Sequence, residues 1–178
     1  MMFTFLKAQG LAVGRSLVED DRLSVAKDVM ERAAARGVRL ELPVDLVASA
    51  APDGSQPSRV CAIDALGESE MGVDIGPETV KAFRESLRDA KTVLWNGPMG
   101  VFEVPAFASG TLEVAKLLAE ATARGAVTVV GGGDSAAAVQ QAELGDKLTH
   151  LSTGGGASLE FLEGKELPGV AALDDRSH

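Results

Sequence analysis

Two glycine triplets are the residues of this chain best suited to hold an anion. One occupies positions 131–133, after a Val-rich stretch and directly before Asp134 and Ser135, and the other occupies positions 154–156. Glycines at the start of a helix leave unpaired backbone N–H groups at the positive end of the helix dipole. Such a helix start attracts anions, and phosphate is the group that we expect there.

Asp134 makes the first triplet chemically more specific. A carboxylate repels a neighbouring phosphate unless a cation lies between them, and Mg²⁺ commonly bridges one or two carboxylates and substrate phosphates. This arrangement indicates a magnesium ion at Asp134. The alternative interpretation is that Asp134 or Ser135 caps the following helix, and the spacing fits both.

Two other phosphate motifs fit less well. A P-loop needs a lysine before its Ser or Thr, and the stretch GGGDSAAA contains none. Gly131, Gly133 and Ala136 match the dinucleotide pattern G-x-G-x-x-A, but positions 150–153, where the ribose-binding acid is expected, contain no Asp or Glu. The sequence therefore does not favour a dehydrogenase.

Nucleophilic hydrolysis is also disfavoured. The candidate nucleophiles Ser135, Ser152 and Cys61 have only His150 and His178 as histidine bases, and neither histidine belongs to a recognisable nucleophile elbow. We expect His150 to be a core residue on a strand. No Cys/His cluster with zinc-ligand spacing is present in the sequence.

The elements that position these residues follow from the apolar pattern, which alternates between strand-like and helical periods. Val-rich strands separated by helices indicate an α/β fold, a three-layer, Rossmann-like parallel sheet with helices on both faces. Strands are predicted at residues 38–45, 59–63, 92–98, 126–130 and 148–152. Helices are predicted at residues 16–37 with Gly37 as a left-handed cap, 77–89, 109–125, from 135 onward and 157–164.

Ligands of such sheets bind beyond the carboxyl ends of the strands. Four predicted strands end in candidate segments, namely residues 42–45, 95–98, 131–135 and 153–156. Trp95, at one of these strand ends, is expected to be a core residue without a catalytic role.

Composition limits the class of protein and its partners. A chain of 178 residues suits one domain. Its net charge of −9 argues against nucleic acid or an anionic membrane surface as a partner. No apolar stretch has the length of a membrane helix, and the single cysteine, Cys61, excludes a disulfide framework. The expected location is the cytoplasm.

Six motifs in this order resemble one enzyme family. They are FTFLKAQG, LPVD, MGVDIGP, VLWNGPMGVFE, VVGGGDSAAAV and STGGGASLEFLEGKELPGV. Over essentially all 178 residues the chain is similar to the C-terminal, nucleotide-binding half of phosphoglycerate kinase. The resemblance implies glycolytic phosphoryl transfer between 1,3-bisphosphoglycerate and MgADP, which gives 3-phosphoglycerate and MgATP without a covalent enzyme intermediate.

The resemblance also implies roles for individual residues. Gly72 is assigned to the adenine side of the nucleotide, and Asn96 and Glu103 to its ribose and phosphate neighbourhood. The residues expected along the nucleotide phosphates, with Asp134 at the Mg²⁺ ion, are Gly132, Gly133, Asp134 and Ser135. The residues expected to donate N–H groups to the transferring phosphoryl group are Gly133, Gly154, Gly155 and Gly156.

The resemblance further implies that residues 1–178 form one nucleotide-binding domain that is incomplete at its N-terminus. The family's N-terminal domain, which holds 3-phosphoglycerate with basic residues, and a phosphate-binding lysine are expected to lie outside this chain. We therefore expect the isolated chain to be inactive, and the full-length family protein to be monomeric. The alternative is a non-catalytic nucleotide-binding or interaction module of the same fold.

Overall fold

The computed structural model of the chain describes residues 2–152 and 154–173, which form two compact units. The first unit runs to Ser86 and also includes Met99–Val114, and the second comprises Leu87–Pro98 and the described residues from Ala115 onward. Compact units can be lobes of one domain, so the single-domain assignment stays a prediction.

The first unit contains an antiparallel sheet. Its strands are β1 (Asp45–Ser49), β2 (Ser58–Ala62) and β3 (Met71–Ile75), in the order β2-β1-β3. Its helices are α1 (Met2–Ala8), α2 (Leu23–Ala35) and α3 (Pro77–Leu87), the last of which ends one residue into the second unit. A core of Leu46, Ala48, Cys61 and Leu66 lies against this sheet.

The second unit contains the parallel sheet that the sequence predicts. Its strands are β4 (Thr92–Asn96), β5 (Val127–Gly131) and β6 (His150–Ser152), in that order, and helices flank them. The helices are α5 (Gly133–Gln141), α6 (Gly155–Leu162) and α7 (Pro168–Ala171). Helix α4 (Ser109–Ala123) begins in the first unit and ends in the second. The predicted α/β fold class is therefore confirmed.

Most predicted elements occur within a few residues of their predicted bounds. Gly37, at the end of α2, has a φ of +65°, which confirms the left-handed cap. Helix α5 begins at Gly133, two residues earlier than predicted. Helix α1 and the antiparallel pairing of the first sheet were not predicted.

The strand predicted at residues 38–45 is wrong. Among the described residues no strand pairs with this apolar alternation, and Val38 and Leu40 are 59% and 42% exposed. The strand begins only at Asp45, after Pro43, and four of its five residues are buried. The segment 42–45 therefore leads into β1 and does not follow a strand, so it does not lie at a carboxyl end.

Within the described residues, every helix is too short or too polar to cross a membrane.

Candidate functional site

The carboxyl ends of the three parallel strands lie side by side. In the sheet register Asn96 pairs with Gly131, and Gly131 pairs with Ser152. The loops that leave these strands therefore start from one edge of the second unit, as the predicted parallel sheet requires. Both glycine triplets are in these loops.

The first glycine loop turns directly into α5. Gly132 is the N-cap residue, with a φ of +96°, a backbone conformation that residues with a side chain rarely adopt. A β-carbon on Gly132 would lie 2.9 Å from Oδ1 of Asn96. No side-chain hydrogen bond caps α5. The interpretation of Asp134 or Ser135 as a cap is therefore wrong, and the first N–H groups of the helix remain available to a ligand.

The second glycine loop meets the first, backbone against backbone. A β-carbon on Gly155 would lie 2.5 Å from both the Cα and the N of Gly132, so only glycine fits there. Helix α6 begins at Gly155, and its N-cap, Gly154, makes no side-chain cap either. A β-carbon on Gly133 or Gly156 would have no atom within 4 Å. Two uncapped helix starts thus adjoin, each with an open glycine beside it.

Serines fix the backbone of both loops. Oγ of Ser135, which is fully buried, accepts a hydrogen bond of 2.7 Å from the N–H of Gly97 in the loop after β4. Oγ of Ser152 accepts a 3.2 Å bond from the N–H of Gly154. Ser158 holds the same loop from α6, because its Oγ donates to the carbonyl of Gly154 at 3.3 Å. The loops are therefore positioned by the protein itself before any ligand binds.

Asp134 lies in the first turn of α5 with an exposed side chain. Mg²⁺ keeps several of its waters and takes one or two protein carboxylates together with substrate phosphates. One exposed carboxylate next to free N–H groups fits that donor set. Among the described residues no cluster of three or more His, Cys, Asp or Glu side chains offers a cation site made by the protein alone.

The remaining predicted site residues belong partly to the first unit and partly to the second. Asn96 ends β4 in the second unit, where its Oδ1 lies beside both glycine loops. Gly72 and Glu103 belong to the first unit. Gly72 lies on β3, where its N–H donates to Oγ of Ser16 at 3.0 Å, and Glu103 is exposed in the segment before α4. The site roles of all these residues stay predictions.

Two of the candidates for nucleophilic hydrolysis, Cys61 and His150, lie on strands of different units. Cys61 lies on β2, and burial raises the pKa of its thiol, which disfavours the reactive thiolate. His150 is exposed on β6, so the expectation of a core histidine is wrong. Trp95 is buried, as expected, and its Nε1 donates to the carbonyl of Gly97 at 2.7 Å. His178 lies outside the described residues.

Sequence reasoning assigned no role to Asp74, which the structure places in the core of the first unit. An acid among the apolar residues of MGVDIGP is itself a signal, because a buried carboxylate requires hydrogen-bond partners. Asp45 is buried as well, and its carboxylate caps α3 by accepting from the N–H groups of Glu78 and Thr79.

Together the fold and the site define an α/β chain in which two adjoining helix starts without side-chain caps follow strands of the parallel sheet. The chain matches the phosphoglycerate kinase family over residues 1–165. It therefore belongs to the phosphoglycerate kinase family.

Individual relatives agree with this assignment. The chain is 59% identical to phosphoglycerate kinase of Chlorobaculum tepidum over 175 residues, which cover 98% of this chain and 44% of that protein. It is 60% identical to that of Chlorobium luteolum over 174 residues, with the same coverage of 98% and 44%. Its structure is similar to that of phosphoglycerate kinase from Coxiella burnetii, with a TM-score of 0.91 and 42% identity, over 99% of this chain and 45% of that one. The chain thus spans less than half the length of these relatives.

Proposed function

We propose that this chain is the ATP/ADP-binding part of a phosphoglycerate kinase, which transfers a phosphoryl group reversibly between 1,3-bisphosphoglycerate and MgADP. The observation that carries the proposal is the backbone contact between Gly132 and Gly155. It joins two helix starts whose N–H groups have no side-chain cap. Two adjoining anion sites suit two phosphate-bearing substrates that must exchange one phosphoryl group.

The chain's own residues contribute mainly position and charge. In the proposal, the N–H groups of Gly132, Gly133 and Ser135 bind the nucleotide phosphates, while N–H groups at glycines 154–156 and at Gly133 face the transferring group. That group carries negative charge on three equatorial oxygens, and fixed N–H dipoles stabilise it without reorganising. Asp134 would hold Mg²⁺, which when bound neutralises part of the phosphate charge.

Three further residues are assigned to nucleotide recognition. Gly72, on β3, takes the adenine side, and Asn96 and Glu103 take the ribose and phosphate neighbourhood. The family membership supports this assignment, and so do the exposed side chains of Asn96 and Glu103.

We further propose that the 178-residue chain does not transfer phosphoryl groups at a useful rate by itself. The loops after β4, β5 and β6, at positions 97–104, 131–136 and 153–158, contain no Lys or Arg. A helix start contributes only about 0.3 to 1 kcal/mol at exposed sites, and up to about 2 kcal/mol when partly buried. The remaining positive charge must come from basic residues outside these loops, for which the additional length of the relatives provides room. The proposal includes the cytoplasm as location.

Calorimetry on the purified chain tests nucleotide binding. MgADP and MgATP are expected to bind, and NAD is expected not to compete with them, because the acid that would hold its ribose is missing at positions 150–153. Tighter binding of NAD than of MgADP would overturn the assignment.

A titration with a non-hydrolysable acyl-phosphate analogue distinguishes the kinase from a non-catalytic nucleotide-binding module. Only the kinase predicts a second anion site at glycines 154–156. Saturable binding that is weakened by Gly156→Asp, a change that adds a negative charge at an open position, is expected. If the analogue does not bind, the catalytic half of the proposal is wrong.

A further inference from the structure

One buried carboxylate of the first unit has no part in the proposed chemistry. Asp74, on β3, is 2% exposed. One of its oxygens accepts a 2.7 Å hydrogen bond from the N–H of Gly110, in the first turn of α4, and the other accepts a 2.9 Å bond from the N–H of Ile75. Asp74 therefore ties the strand to the start of the helix.

The segment from Met99 to Val104, called here the 99–104 loop, is held between this strand and this helix. The N–H of Val101 donates to the carbonyl of Val73 at 2.9 Å. Oγ1 of Thr111, in α4, accepts from the N–H groups of Met99 at 3.0 Å and Gly100 at 3.3 Å. A change in the orientation of α4 relative to β3 would therefore move the loop.

The Asp74 carboxylate also lies directly against the loop. A β-carbon on Gly100 would be 2.5 Å from Oδ1 of Asp74 and 2.6 Å from the carbonyl oxygen of Val73. Thr111 is fully buried next to Gly110, the helix residue that Asp74 binds. Asp74, Thr111 and the loop therefore form one packed group.

This group includes one residue to which the proposed function assigns the nucleotide and adjoins another along β3. Gly72 precedes Asp74 by two positions on β3, and Glu103 is in the 99–104 loop. We propose that Asp74 and Thr111 are positioning residues for nucleotide binding, because they fix the Glu103-bearing loop against the Gly72-bearing strand. This inference rests on the proposed function.

When the Asp74 carboxyl group is ionised, each of its oxygens accepts from a different N–H group. An asparagine presents one acceptor oxygen and one NH₂ group, so an N–H donor of the backbone would face a donor of the side chain. Leaving a buried N–H without an acceptor is costly, and the start of α4 can escape that cost by moving away from β3.

The first unit contains a matched control pair. Asp45, on β1, accepts from the first-turn N–H groups of α3, at 3.0 Å from Glu78 and 2.8 Å from Thr79. Oγ1 of Thr79 accepts from the N–H groups of Val44 and Asp45, at 3.0 and 3.2 Å. This pair likewise joins a strand to a helix start, although here Oγ1 of Thr79 also donates to Oδ1 of Asp45 at 2.7 Å. It holds no residue that is assigned to the nucleotide.

The test compares Asp74→Asn with Asp45→Asn in the 178-residue chain. Amide hydrogen exchange without nucleotide reports on the loop, and calorimetry reports the Kd for MgADP. We expect Asp74→Asn to speed exchange at Met99, Gly100 and Val101 at least tenfold and to weaken MgADP about tenfold, the size of one lost buried hydrogen bond. In Asp45→Asn, exchange rises in α3, while the loop and the Kd stay within about twofold of the parent chain.

If Asp74→Asn leaves loop exchange and MgADP affinity as they are in Asp45→Asn, the inference is wrong. If the parent chain does not bind MgADP, the proposed function fails, and loop exchange alone decides whether Asp74 positions the loop. If Asp74→Asn does not fold, Thr111→Val takes its place, with Thr79→Val as control. Unchanged exchange at Met99 and Gly100 in Thr111→Val then overturns the inference.

Discussion

The Asp74 carboxyl group makes the stability of this chain depend on pH in an unusual direction. Burial raises the pKa of Asp74 from its ordinary value of 3.8 to about 6, although the N–H groups of Gly110 and Ile75 favour the charged form. The desolvation of the charge outweighs these two hydrogen bonds. We therefore expect the contribution of Asp74 to folding to weaken as the pH rises.

The sign follows from proton linkage. Between pH 3.8 and about 6 the folded chain binds a proton at Asp74 that the unfolded chain has released. The free energy of unfolding decreases with pH wherever the folded state binds more protons. The stabilisation is fully present below pH 3.8 and is lost as the pH rises through about 6.

The magnitude follows from the two pKa values. At about 1.4 kcal/mol for each pH unit, a pKa of about 6 in place of 3.8 corresponds to about 3 kcal/mol in all. About 2 kcal/mol of this falls between pH 4 and pH 7. A change of that size is a large fraction of the stability of an ordinary domain.

Urea unfolding of the parent chain and of Asp74→Asn, followed by circular dichroism from pH 4 to pH 8, measures the effect. Asparagine does not titrate, so the difference between the two unfolding free energies isolates Asp74, while the other carboxyl groups cancel. The advantage of the parent chain is expected to shrink by about 2 kcal/mol between pH 4 and pH 7. A difference that is constant, or that grows with pH, would refute the reasoning.

Three further predictions concern the second unit. Gly155→Ala places a β-carbon 2.5 Å from the backbone of Gly132 and should lower the free energy of unfolding in urea by about 1 to 3 kcal/mol or more. Gly156→Ala, whose β-carbon enters open space, should change that free energy by less than about 0.5 kcal/mol. Equal effects of the two variants would contradict the loop contact. Ser135→Ala leaves a backbone N–H without its buried acceptor and should cost about 1 to 3 kcal/mol in the same assay, so an unchanged stability would count against that bond. In a family-length protein, Asp134→Asn should lower turnover at least about 100-fold, which raises the activation free energy by about 3 kcal/mol, and should leave the free energy of unfolding unchanged. Near-normal activity at saturating Mg²⁺ would reject the metal role.

The parallel sheet could be predicted because short, local sequence patterns mark its strands and the turns that follow them. A short apolar run followed by glycine defines β4, and a Val-rich run ending in glycine before a helical pattern defines β5. The loops that leave both strands then fall at one edge. The strand error at residues 38–45 has the opposite cause. Its alternating pattern is correct for a half-buried strand, but only pairing decides whether such a segment becomes one.

The pairing of the first sheet depends on contacts that no local pattern encodes. Strands β1 and β2 form an antiparallel pair across residues 50–57, a loop without a tight hairpin turn. The sequence indicates a tolerant surface loop there, and it does not indicate which strands the loop connects. The prediction of one parallel sheet therefore describes only the second unit.

The glycine triplets could be found in the sequence, but the reason for each glycine could not. Gly132 is required by its own backbone angle, which is a local property, and Gly155 is required by the backbone of Gly132, which lies 23 positions earlier in the sequence. Likewise, Ser135 lies on a helix that sequence patterns predict. Its hydrogen bond with Gly97, which joins this helix to the loop after β4, could not be predicted from them.

Comparing the two buried acids of the first unit, Asp45 and Asp74, tests whether helix capping alone explains a buried carboxylate. Asp45 and Asp74 both accept from the start of a helix, and an acid at a helix start is ordinarily stabilising. Burial raises the pKa of Asp74 to about 6, so at pH 7 its charge is held at a cost in stability. Helix capping alone does not require that cost, since capping by serine or threonine achieves the same for a helix without a charge. A role in holding the Glu103 loop against the strand that carries both Asp74 and Gly72, as proposed above for nucleotide binding, would account for that cost.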